Sequence, residues 1–245
     1  MWPIVGLRIG MRHDSVERVQ RIFVWMFLVG VLAIGFIVAR TAGIGLPDAS
    51  GAMPQGLVGA AWNKQVALVS GHAGNDSGAV CEDENGQATV QEADINATVA
   101  NLVADRLRRA GADVMVLQEF DPKLEDLSAD VFLSIHADSC IEATGFKSTH
   151  YDSSAIPHIA DRLVSCINAQ YAAATDLSEN VDTITENMTE YHAFRQIDPR
   201  TPAAIIELGF LGGDRELLVD HPELAAKGVA DGLLCFLEGE GQIKK

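Results

Sequence analysis

Beyond residue 64 the chain alternates short apolar runs with longer segments of helical period. The apolar runs have the length of buried strands; they are Val66–Ser70, Val114–Gln118, Val131–Ile135 and Ala203–Ile206. The helical segments are Glu92–Ala110, a stretch whose apolar residues recur from Ile156 to Ile167, and a closing stretch after Pro222. Strands that alternate with helices predict an α/β fold, with a mainly parallel twisted sheet and helices on both faces.

Four polar residues lie at the ends of these strands or at the start of the helix that follows one. His72 follows the first strand, and Glu92 opens the first helix. His136 ends the strand Val131–Ile135, and Glu207 ends the strand Ala203–Ile206. In a parallel sheet the carboxyl ends of the strands share one edge, where ligands bind. We therefore expect these four side chains to meet at one site.

Two imidazoles and one carboxylate, with a position left for water, are the usual protein ligands of a catalytic zinc ion. His72, Glu92 and His136 supply that set, and Glu207 can then act as the base. The long separations along the chain are not a local metal motif, so the prediction depends on the shared position at strand ends.

Each of these residues also has a structural interpretation. Glu92 completes the pattern Thr89-x-x-Glu92, a capping box that satisfies the first N–H groups of a helix. His72 and His136 could be hydrogen-bonded loop histidines, and Glu207 could be a strand-end charge. The last alternative is the weakest, because a carboxylate between Ile206 and Leu208 needs a cation or a donor to offset its desolvation.

The amino-terminal part of the chain contains 18 uncharged residues, Ile22–Ala39, in the sequence IFVWMFLVGVLAIGFIVA. This length suits a helix that crosses a bilayer, whereas a buried core helix rarely stays uncharged for so long and the apolar region of a signal peptide is shorter. The arginines that precede it predict a cytoplasmic segment 1–21, an anchor 22–39 and an exterior remainder. The Gly- and Ala-rich segment 40–63 is expected to be a linker, and 64–240 the catalytic domain.

Charge and cysteine content set further limits. The chain has 18 Lys and Arg against 34 Asp and Glu, a net charge of −16, which argues against nucleic acid as a partner. In an exterior domain the cysteines can form disulfides. Cys81 and Cys140 are expected to pair because both lie in loops that the fold places on the same face of the domain. Cys166 and Cys235 lie on apolar helix faces and are expected to be small buried residues.

Together these segments resemble the zinc-dependent N-acetylmuramoyl-L-alanine amidases of the amidase 3 family over roughly residues 65–238. The matching motifs, in the family's order, are GHAGNDSGA at Gly71–Ala79, Glu92 with Asn96, SIHAD at Ser134–Asp138, and the segment from Pro202 to Phe210 that contains Glu207.

The resemblance implies zinc on His72, Glu92 and His136, with Glu207 as the general acid/base. It also implies peptidoglycan as substrate, cut between N-acetylmuramic acid and L-alanine. With the anchor, this places the enzyme on the exterior side of the cell membrane, where an unidentified regulatory protein partner is conceivable. Tyr191, His192 and Arg195, just before the last strand, are candidates for contact with the substrate or for stabilising the oxyanion.

The chain departs from the family pattern at several positions. Gln118-Glu119 stands where the family usually has Thr-Arg, and Asp138 stands where it has Asn. No predicted ligand is lost, but both changes are expected to make the mouth of the site more negative. The departures leave open a peptidoglycan-binding or regulatory module that is not catalytic. A zinc hydrolase that cuts another exported amide is a further alternative.

Overall fold

The computed structural model describes residues 61–243 together with Met26 and Gly59, and the side chains of this range as far as Gly239. The predicted cytoplasmic segment 1–21, the anchor 22–39 and nearly all of the linker 40–63 lie outside the described residues, so these assignments stay predictions. Within the described part of the chain, no helix has both the length and the apolar character that a membrane crossing requires.

A five-stranded sheet forms the centre of the domain. Its strands are β1 (Gln65–Ser70), β4 (Asp113–Leu117), β5 (Val131–Asp138), β6 (Lys147–Thr149) and β7 (Ala203–Phe210). They lie side by side in the order β4-β1-β5-β7-β6. All neighbours pair in parallel except β6, which runs antiparallel to β7. The predicted α/β fold with a mainly parallel sheet is confirmed.

The strands that the sequence did not predict are short and polar. β2 (Val80–Glu82) and β3 (Ala88–Gln91) form an antiparallel hairpin just before the first helix, and β6 adds the antiparallel edge. Their sequences VCE, ATVQ and KST contain no apolar run that marks a buried strand. They form because backbone pairing and neighbouring segments hold them in place.

The three long helices pack on the same face of the sheet. They are α1 (Glu92–Arg109), α2 (Pro157–Thr175) and α4 (Pro222–Ile243), and their buried residues form one core with alternate residues of the strands. The other face is covered by loops, single turns of 3₁₀ helix and the short helix α3 (Glu186–Thr189). The expectation of helices on both faces is therefore wrong for the long helices, because the connections on the second face form only short turns.

Both pairs of cysteines form disulfides. Cys81 in β2 bonds to Cys140 in the loop after β5, which confirms the predicted pairing. Cys166 in α2 bonds to Cys235 in α4, so the expectation that these two are unpaired buried residues is wrong. Each apolar helix face, taken alone, indicated burial, but only the packing of α2 against α4 brings the two sulfur atoms together.

Glycines allow α2 and α4 to approach closely at this contact. A Cβ atom at Gly232 would lie 2.7 Å from the Cα atom of Ile167, and one at Gly228 would lie 2.8 Å from the Cα atom of Tyr171. Both distances are shorter than real side chains tolerate. The small residues of α4 thus fix the spacing at which Cys166 and Cys235 meet.

Candidate metal centre

The three predicted metal ligands converge at the carboxyl-end edge of the sheet. His72 lies just after β1, His136 lies in the last part of β5, and these strands are neighbours. Glu92, the first residue of α1, lies between the two imidazoles, with its Oε2 3.2 Å from His72 Nε2 and its Oε1 3.2 Å from His136 Nδ1. One potential ligand atom from each residue lies within 4.8 Å of the others.

Glu92 is buried, and its carboxylate does not cap α1. The N-cap residue Gln91 makes no side-chain cap hydrogen bond, and the Thr89 hydroxyl donates to the carbonyl of Cys81 instead. Glu92 Oε2 accepts a hydrogen bond from the Ala79 N–H at 3.0 Å, and its Oε1 accepts one from Asn96 Nδ2 at 3.2 Å. The capping-box alternative is therefore wrong, since the carboxylate points toward the imidazoles.

Glycines let the loop after β1 pack directly against the ligand side chains. A Cβ atom at Gly71 would lie 2.4 Å from His136 Cε1, and one at Gly78 would lie 2.5 Å from Glu92 Oε2. Gly78 also has a φ of +62°, a conformation that favours glycine. His72 itself has a φ of +64°, which is uncommon for a residue with a side chain and indicates backbone strain at the site.

The close contact of Glu92 with two imidazoles shifts the pKa values of all three groups. The hydrogen bond to Glu92 raises the pKa of His72 to about 9, although burial opposes this. Burial alone would lower the pKa of His136, but the hydrogen bond to Glu92 and nearby carboxylate charges raise it overall. Burial would raise the pKa of Glu92, yet the hydrogen bonds from both imidazoles leave it well below its usual value.

This donor set fits a divalent cation. The imidazoles bind a metal as neutral bases and the carboxylate binds as an anion, so a cation would take the place of the protons that the imidazoles otherwise hold. Two nitrogen ligands and one oxygen ligand suit zinc and leave a fourth position open. The assignment of His72, Glu92 and His136 as zinc ligands stays a prediction at this point.

Glu207 lies beside the three-residue cluster. It pairs in register with His136 across β5 and β7, and with Lys147 across β7 and β6. The side chain is partly exposed, but its Oε2 atom is buried and has no hydrogen-bond partner in the described part of the chain. Burial raises the pKa of Glu207 to about 7, although the His136 charge opposes the shift. A carboxyl group in this state can accept or donate a proton near neutral pH.

Asp138 does not add a free negative charge to the site. Its Oδ2 lies 2.5 Å from Nζ of Lys147, a buried lysine that also donates to the carbonyl of Thr183 at 2.8 Å. Lys147 thus offsets the charge of Asp138, although the Asp138 carboxylate still contributes to the raised pKa of Glu207. Sequence reasoning missed Lys147, since β6 carries no strand signal.

Glu119, the second departure from the family pattern, is buried next to the cluster. Its carboxylate accepts hydrogen bonds from the Tyr191 hydroxyl and the backbone N–H of His72, each at 2.8 Å. Burial would raise its pKa, but the hydrogen bond with His192 and the other donors lower the pKa of Glu119 to about 2. A negative charge at this position is thus retained, and it connects Tyr191 and His192 to the site.

Comparisons with known proteins agree with this arrangement. The sequence profile of the amidase 3 family, described as N-acetylmuramoyl-L-alanine amidase, matches residues 66–234. The uncharacterized protein YqiI of Bacillus subtilis is 28% identical over 188 residues, which cover 71% of this chain and 85% of YqiI.

Solved amidases share the fold. An N-acetylmuramoyl-L-alanine amidase of Clostridium difficile 630 matches with a TM-score of 0.56 at 22% identity, over 73% of this chain and 99% of its own. The CwlD amidase of Clostridioides difficile, solved in complex with the GerS lipoprotein, matches with a TM-score of 0.55 at 20% identity, over 72% of this chain and all of its own (100%). At these identities the likeness shows the fold.

Loss of either imidazole should lower the metal content. We expect His72→Ala and His136→Ala to bind much less than one equivalent of zinc after equilibration and desalting, because each removes one of three ligands. His221→Ala is the control, since His221 is an exposed histidine that contacts Glu223. Elemental analysis of the three variants gives the answer, and full occupancy in either ligand variant would show that the coordination set is misassigned.

The glycine contact with Glu92 can be tested separately. Gly78→Ala places a Cβ atom against Glu92 Oε2 and should weaken zinc binding as well as stability. Gly86→Ala is a matched control, because Gly86 also has a positive φ, +74°, but a Cβ there would meet nothing closer than 3.9 Å. Both variants should lose about 1 kcal/mol of stability from backbone strain, measured by thermal unfolding. Equal zinc affinity in the two would contradict the proposed contact.

Proposed function

Because the chain belongs to the amidase 3 family of N-acetylmuramoyl-L-alanine amidases, we propose that it hydrolyses the amide between N-acetylmuramic acid and the L-alanine of the peptidoglycan stem peptide. The observation that carries this proposal is the convergence of His72, Glu92 and His136 at the strand ends, with Glu207 in register beside His136. A binding module would need the fold, but it would have no use for a cluster of metal-ligand type next to a carboxyl group that can act as a base.

Zinc held by His72, Glu92 and His136 would supply Lewis acidity to the amide carbonyl and lower the pKa of water to about 7. The protein residues would hold this centre rigidly. Glu92 is fixed by the Ala79 N–H and by Asn96, and His72 Nδ1 lies 2.5 Å from Asp76 Oδ1. A carboxylate on the far nitrogen of an imidazole ligand fixes its tautomer and its orientation.

Glu207 is proposed to move the proton in both halves of the reaction. As a base it would take a proton from the attacking water, and as an acid it would return this proton to the nitrogen of the leaving L-alanine. Its raised pKa, about 7, suits a group that must change protonation state near neutral pH. Within residues 61–243 no Lys or Arg forms an ion pair with it, because Lys147 in the adjacent strand contacts Asp138 instead.

The role of Glu207 is testable with an isosteric variant. We expect Glu207→Gln to lower the rate of stem-peptide release by about 10²-fold or more while zinc stays bound, since Gln keeps the shape but cannot carry the proton. Mass spectrometry of muropeptides, looking for free peptides that start at L-alanine, measures the rate. Glu223→Gln, at the start of α4 and paired with His221, is the control. Near-normal turnover in Glu207→Gln would remove Glu207 from the mechanism.

Two alternative functions each predict that the muropeptides stay intact, and the zinc content separates a metal-free module from a zinc hydrolase of another amide. A non-catalytic peptidoglycan-binding or regulatory module would leave the muropeptides intact. A zinc hydrolase of another exported amide would bind zinc and also leave them intact. The ion pair of Asp138 with Lys147 weakens the case for the first alternative, because one of the two departures that suggested it is a carboxylate paired with a lysine.

We also propose that the domain works on the exterior side of the cell membrane, held by the predicted anchor 22–39. Two disulfides support an oxidising environment, and the substrate lies outside the membrane. CwlD was solved with the GerS lipoprotein, and a regulatory protein partner for this chain is proposed on that likeness alone. Protection of the domain from protease added to intact spheroplasts would contradict the exterior location.

A further inference from the structure

Each imidazole of the metal cluster lies between two carboxylates. His72 has Nε2 3.2 Å from Glu92 and Nδ1 2.5 Å from Asp76. His136 has Nδ1 3.2 Å from Glu92 and Nε2 3.6 Å from Glu119 Oε2. In both rings one nitrogen faces the shared Glu92 and the other faces a second carboxylate. This is the arrangement in which a metal-ligating histidine donates its remaining N–H to a carboxylate.

The far nitrogen of His136 depends on Glu119. His136 Nε2 is buried and has no hydrogen-bond partner within the described range. At 3.6 Å the contact with Glu119 Oε2 is an electrostatic one, slightly too long for a hydrogen bond. With a metal on Nδ1 the ring proton would lie on Nε2, and because a buried N–H without an acceptor is costly, the facing Glu119 carboxylate would stabilise this tautomer.

Glu119 also holds the loop that carries the other imidazole. Its Oε2 accepts the backbone N–H of His72 at 2.8 Å, and its own N–H donates to the carbonyl of Ala73 at 3.1 Å. His72 is the residue with the strained φ of +64°. Two hydrogen bonds made by Glu119 therefore fix the backbone of His72 and of the residue after it.

The carboxylate of Glu119 is itself held in place. Its Oε1 accepts hydrogen bonds from the Tyr191 hydroxyl and from His192 Nε2, both at 2.8 Å, and His192 stacks on Phe120 with ring centroids 4.3 Å apart. Tyr191 and His192 thus donate to Oε1, while Oε2 faces the His72 N–H and His136 Nε2. The arginine usual in the family at this position could accept none of these hydrogen bonds.

We propose that Glu119 is a positioning residue of the metal centre, which orients His136 through Nε2 and fixes the backbone of His72, and so sets the affinity of the site for zinc. The inference rests on the metal part of the proposed function and not on the identity of the substrate.

The test is the zinc affinity of Glu119→Gln in the full-length chain, measured by competition with a chromophoric chelator at fixed pH. Gln keeps the size of the side chain but removes the charge, and loss of such an outer carboxylate typically weakens metal binding 10- to 100-fold. We expect the dissociation constant to rise within about that range. His136→Ala, which loses a ligand, marks the weak limit.

The control for loss of one negative charge is Asp130→Asn. Asp130 accepts the Gln65 N–H at 2.8 Å and pairs with Lys64, directly before β5 and therefore at the opposite edge of the sheet. Its substitution should leave zinc affinity unchanged. Circular dichroism and thermal unfolding of the metal-free proteins separate a loss of affinity from a loss of fold. An unchanged dissociation constant in folded Glu119→Gln would overturn the proposal.

A second measurement on the wild-type chain keeps the proposal testable if Glu119→Gln does not fold. Long-range ¹H–¹⁵N spectra of the zinc-loaded protein report which nitrogen of His136 carries a proton. A protonated Nε2 is expected, and a zinc-bound Nε2 would overturn the proposal. Zinc-loaded protein that leaves muropeptides intact would contradict the amidase function and not this role, whereas a wild type that binds no zinc would contradict both.

Discussion

The contact of one buried carboxylate with two imidazoles is the interaction on which the site depends. Glu92 can stay ionised in the interior because His72 and His136 face its two oxygens and the Ala79 N–H donates to it. Other local features follow from this requirement. The β2–β3 hairpin ends directly before Glu92 and so delivers it to the sheet edge, and Gly78 lets the first loop lie against its oxygen. A site built this way requires a cation, either protons on the imidazoles or a metal ion.

Much of the fold could be predicted from the sequence, and the parts that could not share a physical cause. Four parallel strands and three long helices have apolar periods that identify them and that burial then enforces. The hairpin and the edge strand β6 have no such period, because their pairing comes from neighbouring backbone and not from apolar side chains. The Cys166–Cys235 bond was missed for a related reason, since it depends on how two helices pack and not on either helix alone.

The candidate site shows the same limit at the level of single residues. His72, Glu92, His136 and Glu207 were predicted together because parallel topology brings strand ends to one edge. Their roles stay predictions. What the sequence could not supply is the partner of each charge. In the sequence Asp138 and Glu119 both appear as added negative charges. In the structure Asp138 is paired with a lysine on an unpredicted strand, and Glu119 accepts hydrogen bonds that include one from the backbone N–H of His72.

The Cys81–Cys140 bond closes a covalent ring that contains Glu92 and His136 and leaves out His72 and Glu207. The bond spans 59 residues, and within it two members of the site cannot drift apart as they could in an open chain. The bond therefore lowers the conformational entropy of the unfolded chain, and with it the entropy cost of bringing Glu92 and His136 together. In the oxidised chain, two of the three predicted metal ligands stay at a raised local concentration even while the sheet is unformed.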